Sequence, residues 1–190
     1  MLNTKINKYF LFLFSILPVS IIAGSSISLA NILIIDISFL FLILFRKDFD
    51  FLKSKTIRYL FILYVYLILN SFISIDHEIG LARNLGFVRF IILFVAFNYF
   101  FADKSFLKNT LLVWTLVIIL VLCDIFYESY FGKNILGFGG STYGNRIVSF
   151  FYDEPIVGGY IYSFCLIILG FLFHEFDHRK NLIILLSIIF

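Results

Sequence analysis

The run ISLANILIIDISFLFLILF, residues 27 to 45, decides the fold. At about 1.5 Å of helical rise per residue it reaches roughly 30 Å, the thickness of bilayer hydrocarbon, and Asp36 is its one ionisable side chain. Working outward, comparable apolar runs cover Tyr9 to Ala23, Tyr59 to Ile75, Phe87 to Phe101, Leu111 to Tyr127 and Ile156 to Phe173, and another starts at Leu182. The whole chain has 190 residues, 62% hydrophobic and 14% charged, with a mean hydropathy of +1.03. Soluble domains are about 45–50% apolar and about 25% charged, so there is too little polar side chain here to cover a water-facing surface. Twenty-seven Phe and eleven Tyr exclude a disordered chain. The expected fold is an all-α, polytopic integral membrane protein with six transmembrane helices plus a truncated seventh, a single domain over 1–190 with an outer loop at 128–155. The run from Leu182 stops at Phe190, less than half of a crossing, and reads as a cut within a larger membrane protein.

The first run has an alternative reading as a cleaved signal peptide, since Lys5 and Lys8 precede it and Ala23, Gly24, Ser25 and Ser26 follow. A polar break as short as Gly24 to Ser26 is better suited to a tight helical hairpin. Positive charge sets the orientation. With the N-terminus inside, the inner segments hold eleven Lys and Arg: Lys5 and Lys8, the group from Arg46 to Arg58, Lys104 and Lys108, and Arg179 and Lys180. The outer segments hold four, namely Arg83, Arg89, Lys133 and Arg146. The N-terminus is therefore expected in the cytoplasm and the 124–155 segment outside. The net charge of +3 is spread between apolar runs and forms no stripe, which argues against a nucleic-acid partner. Cys123 and Cys165 each lie within an apolar run, and neither a disulfide framework nor a metal motif follows.

Polar residues inside or beside the runs are the candidates for function. Asp36, near the middle of its run, needs a partner in the bundle interior, for instance Asn70 and Ser71 of the third span, or a proton; the alternative is a binding or proton site. Arg83 and Arg89, in LARNLGFVRF, either snorkel to lipid phosphates or turn inward to hold an anionic, lipid-linked substrate, where a planar guanidinium suits pyrophosphate. The longest polar segment is YESYFGKNILGFGGSTYGNRIVSFFYDEPI, 127 to 156. Its glycines permit tight turns, but GFGG lacks the Lys and Ser/Thr of a phosphate loop. Asp153 and Glu154 directly precede Pro155, a favoured first helical residue, and are read as an N-cap and a dipole contact for the sixth span. His174 and His178 fall on the opposite side from this segment, and His77 on the same side.

The segment NRIVSFFYDEPIVGGYI, 145 to 161, preceded by FGKNILGF at 131 to 138, resembles the arginine-bearing motif of bacterial O-antigen ligases and O-antigen polymerases. That motif has an Arg, a small residue and Phe, then an acidic or Asn-Pro pair before a Gly-bearing helix. The stretches at 17–37 and 70–91 are also similar to the first spans of such proteins. The resemblance implies a glycosyltransferase of the bacterial inner (cytoplasmic) membrane, in lipopolysaccharide or other polysaccharide biosynthesis. Such an enzyme moves a glycan from undecaprenyl pyrophosphate to an acceptor glycan or lipid A core at the periplasmic face, with no cofactor and no metal. It assigns Arg146 to the pyrophosphate, stabilising charge on the leaving group. The family's acceptor-side histidine has no match here, so the chain alone would lack half of such an active site. Two other readings are a transporter or lipid-linked glycan flippase with Asp36 and Arg89 lining a path, and a non-catalytic membrane subunit or remnant. The orientation has a direct check: a cysteine in place of Ser141 is expected to react with an impermeant maleimide on intact spheroplasts, and reaction only after lysis would reverse the topology.

Overall fold

The computed structural model describes residues 4–47, 49–74, 77–139, 146–152 and 156–175. Among them the chain is helical, with no strand: α1 Thr4–Ser15, α2 Leu17–Ile22, α3 Ser25–Arg46, α4 Lys55–Ile73, α5 His77–Gly86, α6 Val88–Phe101, α7 Lys104–Phe131 and α8 Val157–Glu175. Five stretches are long and apolar enough to cross a membrane: Thr4–Ile22, Ser25–Arg46, Lys55–Ile73, His77–Phe101 and Lys104–Phe131. The sixth run forms α8, whose apolar part, Val157–Leu172, is shorter. The run from Leu182, and with it the expected seventh helix, lies outside the described residues.

The helix ends follow local chemistry. Pro18 has no N–H to offer the Phe14 carbonyl, and the first helix breaks into α1 and α2 around Ile16. Gly24, at φ +123°, takes a backbone that L side chains rarely adopt and turns the chain into α3. Asp103 caps α7, its Oδ1 accepting from the backbone N–H of Ser105 at 2.9 Å and of Phe106 at 3.4 Å. Gly132, at φ +75°, closes the same helix by donating its N–H to the Glu128 carbonyl at 2.8 Å.

The described residues group into two compact units, Met1–Leu17 with Ser25–Leu107, and Pro18–Gly24 with Lys108–Phe190. In the first, α1 runs antiparallel to α3: the Tyr9 hydroxyl meets Ser38 Oγ at 2.9 Å, and Asn31 Nδ2 donates to the Leu13 carbonyl at 3.4 Å. Helices α4 and α5 form a second antiparallel pair, closed by Asn84 Nδ2 donating to Ser71 Oγ at 2.6 Å and to the Leu67 carbonyl at 3.0 Å. Helices α3 and α6 run parallel. Arg46 donates to the Tyr99 hydroxyl at 3.5 Å, and Arg89 acts electrostatically on Asp36, in the same order along both helices. Phenylalanine fills the centre, with Phe10 stacked on Phe100 at 4.3 Å, Phe14 against Phe97 at 4.7 Å and Phe100 on Phe106 at 5.2 Å. Lipid offers helices little hydrophobic gain from pairing, so ring packing and interhelical hydrogen bonds carry the association.

In the second unit an aromatic column joins α7 to α8: Trp114 meets Phe164 edge-on at 5.1 Å, Phe164 meets Tyr160 at 4.9 Å, and Tyr160 meets Phe151 at 5.0 Å. The buried Tyr160 hydroxyl donates to the Pro18 carbonyl at 3.3 Å, which ties α8 to α2. Packing of the first unit is testable at two phenylalanines of α1. Phe14 is fully buried and Phe12 is 61% exposed. Phe14→Ala is expected to cost about 3 kcal/mol, read as a lower thermal midpoint in detergent, and Phe12→Ala less than about 0.5 kcal/mol; equal effects would refute the ring cluster as the core.

Candidate functional site

The second unit holds the densest polar cluster among the described residues, and its centre is a pair of acids. Asp124 and Glu128 sit one turn apart on α7, on one face, both buried. The fifth run was expected to end at Tyr127, with Asp124 already opening the outer segment. Instead α7 continues to Phe131 and carries both acids inside the helix. The physical reason lies in their partners. Glu128 Oε1 accepts the backbone N–H of Val148 at 3.1 Å and Oε2 that of Ser149 at 2.6 Å. Asp124 Oδ1 accepts the N–H of Ile135 at 3.0 Å, and Oδ2 accepts the Ser149 hydroxyl at 2.6 Å. All four carboxyl oxygens are thus satisfied by groups of the segment that follows the helix.

That segment is held from its own side as well. Asn134 donates its side-chain amide to the Ser149 carbonyl at 2.5 Å, accepts the Phe138 N–H at 2.7 Å, and bonds the Phe138 carbonyl through its backbone N–H at 2.8 Å. Ser149 therefore has its N–H, hydroxyl and carbonyl all engaged. This over-determination explains how a serine, completely buried, keeps a φ of +49°. Phe151, two residues on, is the ring that ends the aromatic column on Tyr160. Gly139 approaches so closely that a Cβ would lie 2.6 Å from Glu128 Oε1, and its φ of +99° independently favours glycine.

Arg146 lies two residues before the anchored Val148 and is exposed, while Val148 and Ser149 are buried. The arrangement is a cation presented to the surface on a backbone whose next residues are pinned to the end of α7. Asp153 and Glu154 lie outside the described residues. Among the described residues, no group of three His, Cys, Asp or Glu side chains gathers to hold a metal ion.

The remaining candidates belong to the first unit. Asp36 is buried on α3, and neither of its oxygens makes a hydrogen bond among the described residues, which corrects the expected pairing with Asn70 and Ser71. Ser71 is taken by Asn84, and Asn70 is exposed. Arg89 of α6 acts electrostatically on Asp36 without hydrogen bonding to its carboxyl. Arg89 is half-buried, its Nε is buried without a hydrogen-bond partner, and its guanidinium lies 4.9 Å from the centre of the Phe90 ring. Opposite charges on facing helices offset one another, an economical account of both residues. Arg83 sits on α5, exposed, one turn and a half from the start of α6.

Compared with protein-family models, curated proteins and solved structures, the chain matches none of them. Architecture and composition together define a class: among the described residues the chain is all-helical, with five stretches long and apolar enough to cross a membrane.

The acid pair left a signal in the sequence. Two acids in the last turns of a helix oppose its dipole, and here they also interrupt an apolar run; such a local conflict points to a tertiary partner. The clamp is testable at two positions. Glu128→Gln turns an amide donor toward one of two backbone N–H groups, and Gly139→Ala drives a methyl into Glu128. Each is expected to cost about 1–3 kcal/mol and to speed tryptic cleavage at Lys133 and Arg146; unchanged cleavage in both would refute the clamp.

Proposed function

We propose that the chain is a bacterial inner-membrane glycosyltransferase component of the O-antigen ligase and polymerase type, multi-pass with a cytoplasmic N-terminus. In this reading Arg146 engages the pyrophosphate of an undecaprenyl-linked glycan donor at the outer face. The observation that carries the reading is the exposed Arg146, one residue removed from the buried Val148–Ser149 step that Glu128 and Asp124 hold. A guanidinium that must meet an anionic leaving group gains from a fixed backbone, because orientation is then settled before the substrate arrives. Planar, bidentate donation suits two phosphate oxygens, and a permanent charge needs no proton balance at the membrane surface.

The positive-inside distribution puts this segment on the outer face, where lipid-linked glycans are consumed in the family that the 131–161 segment resembles. The glycan transfers to an acceptor sugar, whether lipid A core or growing polysaccharide, and Arg146 accounts for the donor side of that reaction. Arg83 is exposed on α5, whereas Arg89, half-buried on α6, acts electrostatically on Asp36 and is left out of the donor site.

The test is Arg146→Lys, expressed at matched level in the native cell. Glycan transfer is expected to fall at least tenfold, about 1.4 kcal/mol of lost transition-state contact, because lysine donates as a point charge. The thermal midpoint should stay unchanged, since the side chain is exposed. Unaltered transfer would refute the assignment.

A further inference from the structure

The first unit carries a feature that the proposed chemistry does not use. An apolar groove of about 490 Å³ opens between α3, α4 and α6. Phe39 and Ile43 of α3, Phe61 and Ile62 of α4, and Ile92 of α6 form its walls, and among the described residues Arg58 is the one charged side chain that lines it. The volume is in the range of small-ligand sites, about 300–1,000 Å³. Next to the groove runs the connector RKDFDFLKSKTIR, 46 to 58, with five cations against two acids. The connector does not run free of the groove. Its short 3-10 turn, Asp50–Lys53, places Phe51 against Phe39 at 6.4 Å, and both rings line the cavity. Arg58 is tied to the same turn, its Nη2 donating to the Lys53 carbonyl at 3.0 Å. Arg46, Lys47, Lys55 and Arg58 are all exposed.

From this juxtaposition we infer that the groove binds an anionic glycerophospholipid, one acyl chain lying along the α3, α4 and α6 walls and the headgroup phosphate meeting Arg58 and the basic connector. The occupant follows from the two halves of the site. An almost wholly apolar wall rejects a charged or sugar ligand, because each polar group placed there would lose its water without a replacement partner. A cation at the mouth, with four further cations in the adjoining connector, selects a negative headgroup over a neutral one. The guanidinium of Arg58 makes only the single bond to Lys53 among the described residues, so its other donors can address phosphate oxygens. An apolar tail with an anionic head satisfies wall and rim together.

The experiment is native mass spectrometry of the full chain in detergent, titrated with phosphatidylglycerol or phosphatidylcholine of the same acyl composition. The wild type is expected to retain phosphatidylglycerol several-fold over phosphatidylcholine. Arg58→Gln should lower that preference roughly fivefold, the factor for one cation near the headgroup. Leu40→Trp with Ile62→Trp narrows the groove from two wall positions that are themselves exposed, so the packed interior is spared. That variant should lose retention of both lipids. Equal retention of the two lipids by the wild type would overturn the site. So would undiminished phosphatidylglycerol binding by the narrowed variant, which would reduce the effect to surface charge alone.

Discussion

A carboxyl group enclosed among apolar helices has to find hydrogen-bond donors, and a loop that folds back onto a helix end has to find acceptors for its backbone N–H groups. Asp124 and Glu128 meet both requirements at once. They take the N–H groups of Ile135, Val148 and Ser149 and the hydroxyl of Ser149, and so bring two separate stretches of the glycine-rich segment to one helix end. Ser149 is the crossing point. With its three polar groups engaged it has no alternative arrangement that keeps them all satisfied, and this holds its left-handed backbone in place. Gly139 completes the fit from the other side by having no Cβ.

The first unit meets the same demand with different groups. Asn84 satisfies Ser71 and the Leu67 carbonyl, and by doing so closes α4 onto α5. Asp36 and Arg89 form a looser arrangement in which charge acts across the α3 and α6 seam without a hydrogen bond to the carboxyl. Around these few polar contacts the bulk of the unit is phenylalanine against phenylalanine. Flat rings at 4 to 6 Å give dispersion contact over large areas at small cost in side-chain freedom, which suits helices that gain little from leaving lipid. The high phenylalanine content is thus a packing property as well as a solubility one.

Much of the helical order was legible along the chain. The apolar runs at 27–45 and 59–75 correspond to α3 and α4 within a few residues, and the run at 9–23 corresponds to α1 and α2, divided where Pro18 withdraws a donor. The candidate site was legible only in part. Arg146 stands out by motif and by its isolation in a long segment, and it is exposed. Asp153 and Glu154 precede a proline and read as a helix start, while Asp124 and Glu128 read as the end of a span. The difference between the two acid pairs is not one of residue type or spacing to an apolar run. It depends on which acids a returning backbone reaches, and Val148 and Ser149 are more than nineteen positions away from Glu128 along the chain.

The sequence by itself determined the class of protein and the order of its helices, because hydropathy, run length, proline and glycine act over one or two turns and need no distant partner. It also determined that one long, glycine-rich segment carries an isolated arginine. Tertiary structure alone decided that Asp124 and Glu128 hold that segment, that Ser71 bonds to Asn84 and not to Asp36, and that α3, α4 and α6 enclose a groove beside a basic connector. Each of these depends on groups remote in the chain meeting at hydrogen-bonding or van der Waals distance, and such meetings are fixed only when all the helices have packed.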